Sequence, residues 1–196
     1  MLRFRGGDDA AFTEIVHRFQ GRVASLAYRY LGSAADAEDL AQEVFLRVHR
    51  ARETYEPTAK FSTWVHRITV NASLNLIRRR RVRKKLNAAM PTRGGDGEAH
   101  ADFEDEAAPR PPDVLEKAEL ADVVGAIVDA LPERQRTAIL LNKYQALSYE
   151  DTASAMELSL PAVKSLLTRA RVKIKEALLP YLDAGTLPGG KSKGQS

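Results

Sequence analysis

Beginning at Phe12, apolar side chains return at Ile15, Val16, Phe19, Val23, Leu26, Ala27 and Tyr30, the three-and-four spacing of one face of an amphipathic helix. Gly32 is placed to end that helix. Ser33-Ala34-Ala35-Asp36 then offers a capping-box-like start for a second helix, predicted to run to about Arg50. Its core stripe is Leu40, Ala41, Val44, Phe45 and Val48, and Asp36, Asp39, Gln42, Glu43, Arg47 and Arg50 take the rest of the circumference. A polar turn from Glu53 to Lys60 contains Pro57, after which Ser62 is placed to cap a third helix bearing Trp64, Val65, Ile68, Ala72 and Leu76. Further on, Leu120, Val123, Val124, Ile127 and Leu131 form a stripe that stops at Pro132. Proline suits the first turn of the next helix, which carries Ala138, Leu140, Leu141 and Tyr144. Ser148-Tyr149-Glu150-Asp151 is another capping box. No period-two alternation competes, so the expected class is all-α.

Two of the predicted helices carry more than a core stripe. The segment from Leu147 to Leu178 predicts a short helix, a tight break and a longer basic helix, capped by Ser159 and buried along Val163, Leu167, Ala170, Ile174 and Leu178. Stepping about 100° per residue puts Pro161, Ser165, Thr168, Arg169 and Val172 on the opposite side, flanked by Lys164, Lys173 and Lys175. Small and hydroxyl-bearing side chains let such a helix enter a major groove while the cations neutralise phosphates. The alternative is a helical hairpin with a solvated basic face.

On the third helix the same arithmetic gathers Arg67, Asn71, Asn75 and Arg78 within about 80° of one another. The apolar arc of Phe61, Val65, Ile68, Ala72 and Leu76 lies beside them. Two amides flanked by arginines suit unpaired base edges and backbone. Trp64, next to the asparagines, reads as a partly buried residue at the edge of the core or as a base-stacking ring.

Charge distribution then divides the chain. The helix runs into RRRRVRKK at residues 78–85, a solvated run or a phosphate track. Residues 94–108 follow with six acids and no Lys or Arg, between glycines and prolines, and are read as a flexible acidic linker. The 196 residues accommodate two small helical domains. The excess of Lys plus Arg (30) over Asp plus Glu (26) points weakly to an anionic partner.

The chain has no cysteine, which removes disulfides, thiolate metal sites and a cysteine nucleophile. His17, His49, His66 and His100 lack ligand spacing, and the glycine pairs complete no phosphate-binding loop. The expectation is therefore no enzyme, no catalytic residue, no metal and no cofactor. No apolar run of membrane-spanning length is present, so no membrane insertion and a cytoplasmic location are expected.

Taken in order, DAEDLAQEVFLRV, FSTWVHRITVN, LPERQR and LSYEDTASAMELSLPAVKSLLTRAR resemble the motifs of bacterial RNA polymerase sigma factors of the extracytoplasmic-function (ECF) group. The resemblance implies a region-two-like domain over 1–87, a flexible linker over 88–112, a region-four-like helix-turn-helix domain over 113–182 and a disordered tail over 183–196. It implies a transcription initiation factor that binds core RNA polymerase, recognises minus-ten and minus-thirty-five promoter elements and aids strand opening. Asp39, Gln42, Glu43 and Phe45 would meet core polymerase. Trp64, Arg67, Asn71, Asn75, Arg78 and Arg79 would meet minus-ten DNA, with Asn71 helping to hold a flipped base. Pro161, Lys164, Ser165, Thr168, Arg169 and Lys173 would meet minus-thirty-five DNA. The linker would thread toward the active-site channel, and the resemblance leaves room for an anti-sigma protein as a restraining partner.

Three residues depart from the family pattern. Asn75 stands where aspartate is frequent, Glu157 replaces a turn glycine, and Leu166 occupies a common arginine position. Two other readings remain open on the residues alone. A free-standing helix-turn-helix regulator leaves the Asn/Arg face of the third helix unexplained, and a helical scaffold would touch no nucleic acid.

Overall fold

The computed structural model describes residues 1–89 and 112–183. The acidic linker at 94–108 and the tail beyond 183 lie outside the described residues. Among those described there are helices and no strands, in agreement with the all-α expectation.

A short α1 (Leu2–Arg5) precedes α2 (Ala10–Leu31), α3 (Ala34–Arg50) and α4 (Phe61–Ala89). Gly32 ends α2 in the left-handed conformation, φ +71°, its amide donating to the Tyr28 carbonyl. Ser33 caps α3 by accepting from the Asp36 amide at 3.3 Å. Helix α4 starts one residue before the expected cap, so Ser62 lies inside its first turn. There the Ser62 carbonyl serves the His66 ring instead. Helix α1 was not foreseen; it buries Phe4 against Phe12 and His49, ring centroids 5.0 and 5.2 Å away.

The second group comprises α5 (Pro112–Asp129), α6 (Glu133–Ile139), a π-helical turn at Leu140–Tyr144, α7 (Tyr149–Met156) and α8 (Leu160–Asp183). Ser148 accepts from the Asp151 amide at 3.0 Å to start α7, and Ser159 caps α8 through the Ala162 amide. Between them Glu157 takes φ +54°, ψ +43°, the left-handed turn where the family pattern has glycine. A non-glycine residue there costs on the order of 1 kcal/mol.

Leu26, Ala27, Val44, Val48 and Val65 of α2–α4 and Ala138, Leu141, Val163, Leu167 and Ala170 of α6–α8 belong to one continuous buried cluster. The two groups therefore touch directly, along a seam that helical periodicity did not predict.

Candidate nucleic-acid interface

Helix α4 divides its circumference three ways. Val65 and Ala72 are buried, with Phe61, Ile68 and Leu76 packed at the edge, as the apolar arc requires. Asn71, Asn75, Arg78 and Arg79 are exposed and Arg67 is half-buried. The two asparagine side chains have no hydrogen-bond partner among the described residues, which leaves their donors and acceptors free for a ligand. Trp64 is half-buried, edge-on to Tyr55 at 5.0 Å and near Phe61 at 5.7 Å, as expected of a residue at the edge of the core.

The third face was missed. Thr63, His66, Thr69 and Ser73 are buried on it. Thr69 and Ser73 donate to the carbonyls four residues earlier, both at 2.9 Å, so they bury without orphaned hydroxyls. A polar residue whose hydroxyl is satisfied by its own helix can face another helix, and an apolar-only count cannot see it.

The basic run is not uniformly available. Arg80 grips Asp36, in the first turn of α3, through two hydrogen bonds of 2.7 and 2.5 Å, an internal clamp rather than part of a phosphate track. Arg79, Arg81, Arg83, Lys84 and Lys85 are exposed.

On α3, Asp39 and Gln42 are exposed and Glu43 is half-buried. Arg47 donates to Glu43 at 2.8 Å and holds its carboxyl below the usual carboxylate range. Phe45, expected among the docking residues, is only 8% exposed and belongs to the core. The apolar side chain that α3 presents is Leu46, 50% exposed. The signal for it was present: Leu46 is the one large apolar residue of this helix outside the core stripe.

In the helix-turn-helix, Pro161, Lys164, Thr168, Arg169 and Lys173 are exposed and Ser165 is half-buried, all opposite Val163, Leu167 and Ala170. Arg169 donates to Ser165 at 2.7 Å, which fixes its guanidinium over the outward face. Leu166 packs against the core, so its departure from the arginine pattern serves burial. Arg171 was overlooked: it donates to the Tyr149 hydroxyl at 2.8 Å, so a residue at the start of α7 steadies a cation on α8.

The seam joins α4 and the end of α2 to the second group. Lys60 pairs with Asp151 at 2.8 Å, and Thr63 donates to the same carboxylate at 3.3 Å. Arg67 pairs with Glu157 and Arg78 with Glu133, each at 3.1 Å. The Tyr30 hydroxyl donates to Thr137 at 2.8 Å inside the protein, and burial pushes its pKa up to about 12. Arg136 lies over the Tyr30 ring and donates to the Arg29 carbonyl, while its Nε is buried with no partner among the described residues. The π turn sets Tyr144 under Arg29, 4.3 Å from the ring centroid, and is followed by Gln145.

His66 sits in this seam, Nδ1 2.6 Å from the Ser62 carbonyl and Nε2 3.3 Å from Gln145 Oε1. Burial pushes its pKa down, and the Arg22 charge adds to this; the two hydrogen bonds oppose it. The folded chain thus disfavours the proton that the unfolded chain takes up near pH 6.5. Stability is expected to be insensitive to His66 above about pH 7 and to fall as pH drops below 6.5, at no more than about 1.4 kcal/mol per pH unit for one group. Urea unfolding at pH 7.5 and 5.5 checks this: His66→Asn should lose less stability between the two than the parent chain, and an equal loss would assign the dependence elsewhere.

Comparison with known proteins bears on these surfaces. Sigma-70 region 2 matches residues 15–83, spanning most of α2–α4, and Sigma-70, region 4 matches residues 121–174. The RNA polymerase sigma-H factor of Pseudomonas aeruginosa is 34% identical over 188 residues, covering 92% of each chain. The ECF RNA polymerase sigma-E factor of Escherichia coli K12 is 33% identical over 183 residues, covering 92% of this chain and 93% of its own. The chain belongs to the ECF sigma factors. Like its family, this ECF sigma factor is a transcription initiation factor that directs RNA polymerase to promoters. The fold agrees. CnrH in complex with the cytosolic domain of CnrY superposes with a TM-score of 0.63 at 24% identity, over 94% of this chain and 96% of that one. Sigma factor RpoE in complex with the anti-sigma factor NepR, from Bartonella quintana, gives 0.63 at 20% identity, over 86% and 96%. No helix among the described residues of this sigma factor is long and apolar enough to cross a membrane.

Proposed function

We propose that this sigma factor divides its task among three surfaces. Residues 1–87 form the module that meets core polymerase and the minus-ten element, and residues 113–182 the module that meets the minus-thirty-five element. Helix α3 docks on core polymerase through Asp39, Gln42 and Glu43, with Leu46 as the apolar contact and Phe45 supporting them from the core. Helix α4 faces the opened minus-ten strand with Asn71, Asn75 and Arg79, joined by Arg67 and Arg78. Helix α8 enters the minus-thirty-five major groove with Pro161, Lys164, Ser165, Thr168, Arg169 and Lys173. The observation that carries this reading is the pair of exposed, unpartnered asparagines on a face lined with arginines, on a helix clamped to the docking helix by Arg80 and Asp36. Unpaired bases need amide donors and acceptors beside cations for phosphates. The protein carries out no catalysis of its own and works in the cytoplasm. An anti-sigma protein is its further partner, as one is for the Bartonella relative of the same fold.

Core-polymerase pull-down followed by run-off transcription tests the reading. Joint charge reversal, Asp39→Lys with Glu43→Lys, is expected to weaken core association about tenfold or more, because like charges then face the partner. Both side chains sit on the outer face, so the far-UV circular dichroism should be unchanged. Undiminished association would remove α3 as the docking surface.

A further inference from the structure

The loop between α3 and α4, residues 51–60, leads directly into α4, and α1 holds it from outside. Of residues 53–60 only Tyr55 is buried. Its carbonyl accepts from Arg5 Nη1 of α1 at 2.9 Å, and its ring stands edge-on to Trp64 at 5.0 Å and to Phe61 at 6.0 Å. Three residues earlier Arg52 makes a second tie, pairing with Asp9 at 3.0 Å and laying its guanidinium over Phe4, 4.7 Å from the ring centroid. We propose that Arg5 is a positioning residue for minus-ten recognition: from α1 it acts through the Tyr55 carbonyl on the loop that borders α4. The inference rests on the proposal that residues 1–87 meet the minus-ten element.

The constraint falls on one peptide plane. The Tyr55 carbonyl and the Glu56 amide belong to the same planar unit, so a bond to that oxygen sets the direction in which the chain leaves toward Glu56. The Thr58 amide then donates to the Glu56 carbonyl at 2.9 Å and carries that direction onward. Glu56 and Thr58 are among the residues that line a cleft of about 80 Å³ together with Trp64 and Arg67 of α4. Arg5 thus reaches the loop side of the cleft through the backbone and the helix side through the Tyr55 ring.

Helix α1 is suited to this task. Its four residues are too few to hold a helix alone, and Phe4, 1% exposed, seats it against Phe12 and His49 while Gly7 turns the chain into α2 at φ +104°. With Phe4 as the anchor, the Arg5 guanidinium is left for the loop, where a charged donor on a part-buried carbonyl makes a stronger bond than a neutral one.

The experiment uses holoenzyme assembled from core polymerase and the full chain. The probes are a single-stranded oligonucleotide carrying the minus-ten element mapped by run-off transcription and a set in which each base is replaced in turn. The readout is the affinity ratio, matched over substituted. Arg5→Ala removes the tie to Tyr55, and Arg5→Ala with Asp9→Ala removes both ties with no change in net charge. Far-UV circular dichroism and core association should match the parent, because Arg5 and Asp9 are exposed and Phe4 keeps α1 in place. Should the double variant lose its fold, the single one carries the same test. Acrylamide quenching of Trp64, the single tryptophan, reads the loop directly in the free chain and is expected to rise in both variants.

The affinity ratio at the most discriminating position should fall about fivefold or more, the lower end of what a good base contact supplies. A direct contact of Arg5 with phosphate, or a role in stability alone, would weaken every oligonucleotide alike; an unchanged ratio would therefore overturn the inference. Unchanged quenching would overturn it whatever α4 binds. Asn71→Ala in the same assay keeps the two readings apart. If it weakens the matched oligonucleotide while the Arg5 variants keep the parent ratio, α4 faces the strand and Arg5 does not position its neighbour. If it changes nothing while the Arg5 variants lose selectivity, the proposed role of Asn71 falls and the positioning of the loop stands.

Discussion

Holoenzyme carrying Asn71→Ala is expected to form open promoter complexes roughly 5- to 150-fold less well than the parent, with core binding unchanged. The range corresponds to about 1–3 kcal/mol for a good side-chain contact to a base edge. Three observations support an effect of this size. Asn71 is exposed, so alanine leaves no cavity and few lost contacts in the free protein. Its amide has no partner among the described residues, so no internal hydrogen bond is lost. It lies midway between Arg67 and Asn75, one helical turn from each, at the centre of the proposed strand-facing strip. Permanganate footprinting of melted thymines reads opening, and pull-down reads core binding. Equal losses in both would mean that α4 serves assembly and not the strand.

Leu26→Ala should cost about 2–5 kcal/mol of stability, a large share of the roughly 5–15 kcal/mol typical of a folded domain. Leu26 is fully buried on α2 and part of the cluster that joins α2 to α3 and α4. Trp64, the single tryptophan, sits in the same module and reports its unfolding directly. A urea midpoint shift corresponding to less than about 1 kcal/mol would show that the helices repack, and that the core is looser than its burial suggests.

The helices were legible because their ends are written in local chemistry. Gly32, Ser33, Ser148 and Ser159 act within four residues of themselves, and the core stripes of α2, α3 and α8 follow from one period. The outward faces of α4 and α8 were legible for the same reason. What periodicity missed has a common cause. Thr63, His66, Thr69 and Ser73 are polar and buried, so hydropathy assigns them to water although the fold does not. The ion pairs of the seam join residues 55 to 91 positions apart, and no local pattern encodes them. Phe45 is buried and its neighbour Leu46 exposed, a difference that the motif does not mark and that only the packing of α3 reveals.

The clamp between Arg80 and Asp36 couples two surfaces that the sequence presents as separate. Its two hydrogen bonds tie the start of α3 to the side of α4. In the docking mode proposed above, polymerase that holds α3 also fixes the direction in which Asn71 and Asn75 point, and the search for the melted strand loses orientational freedom in the same step. Anchoring the factor and aiming it are thereby one mechanical event.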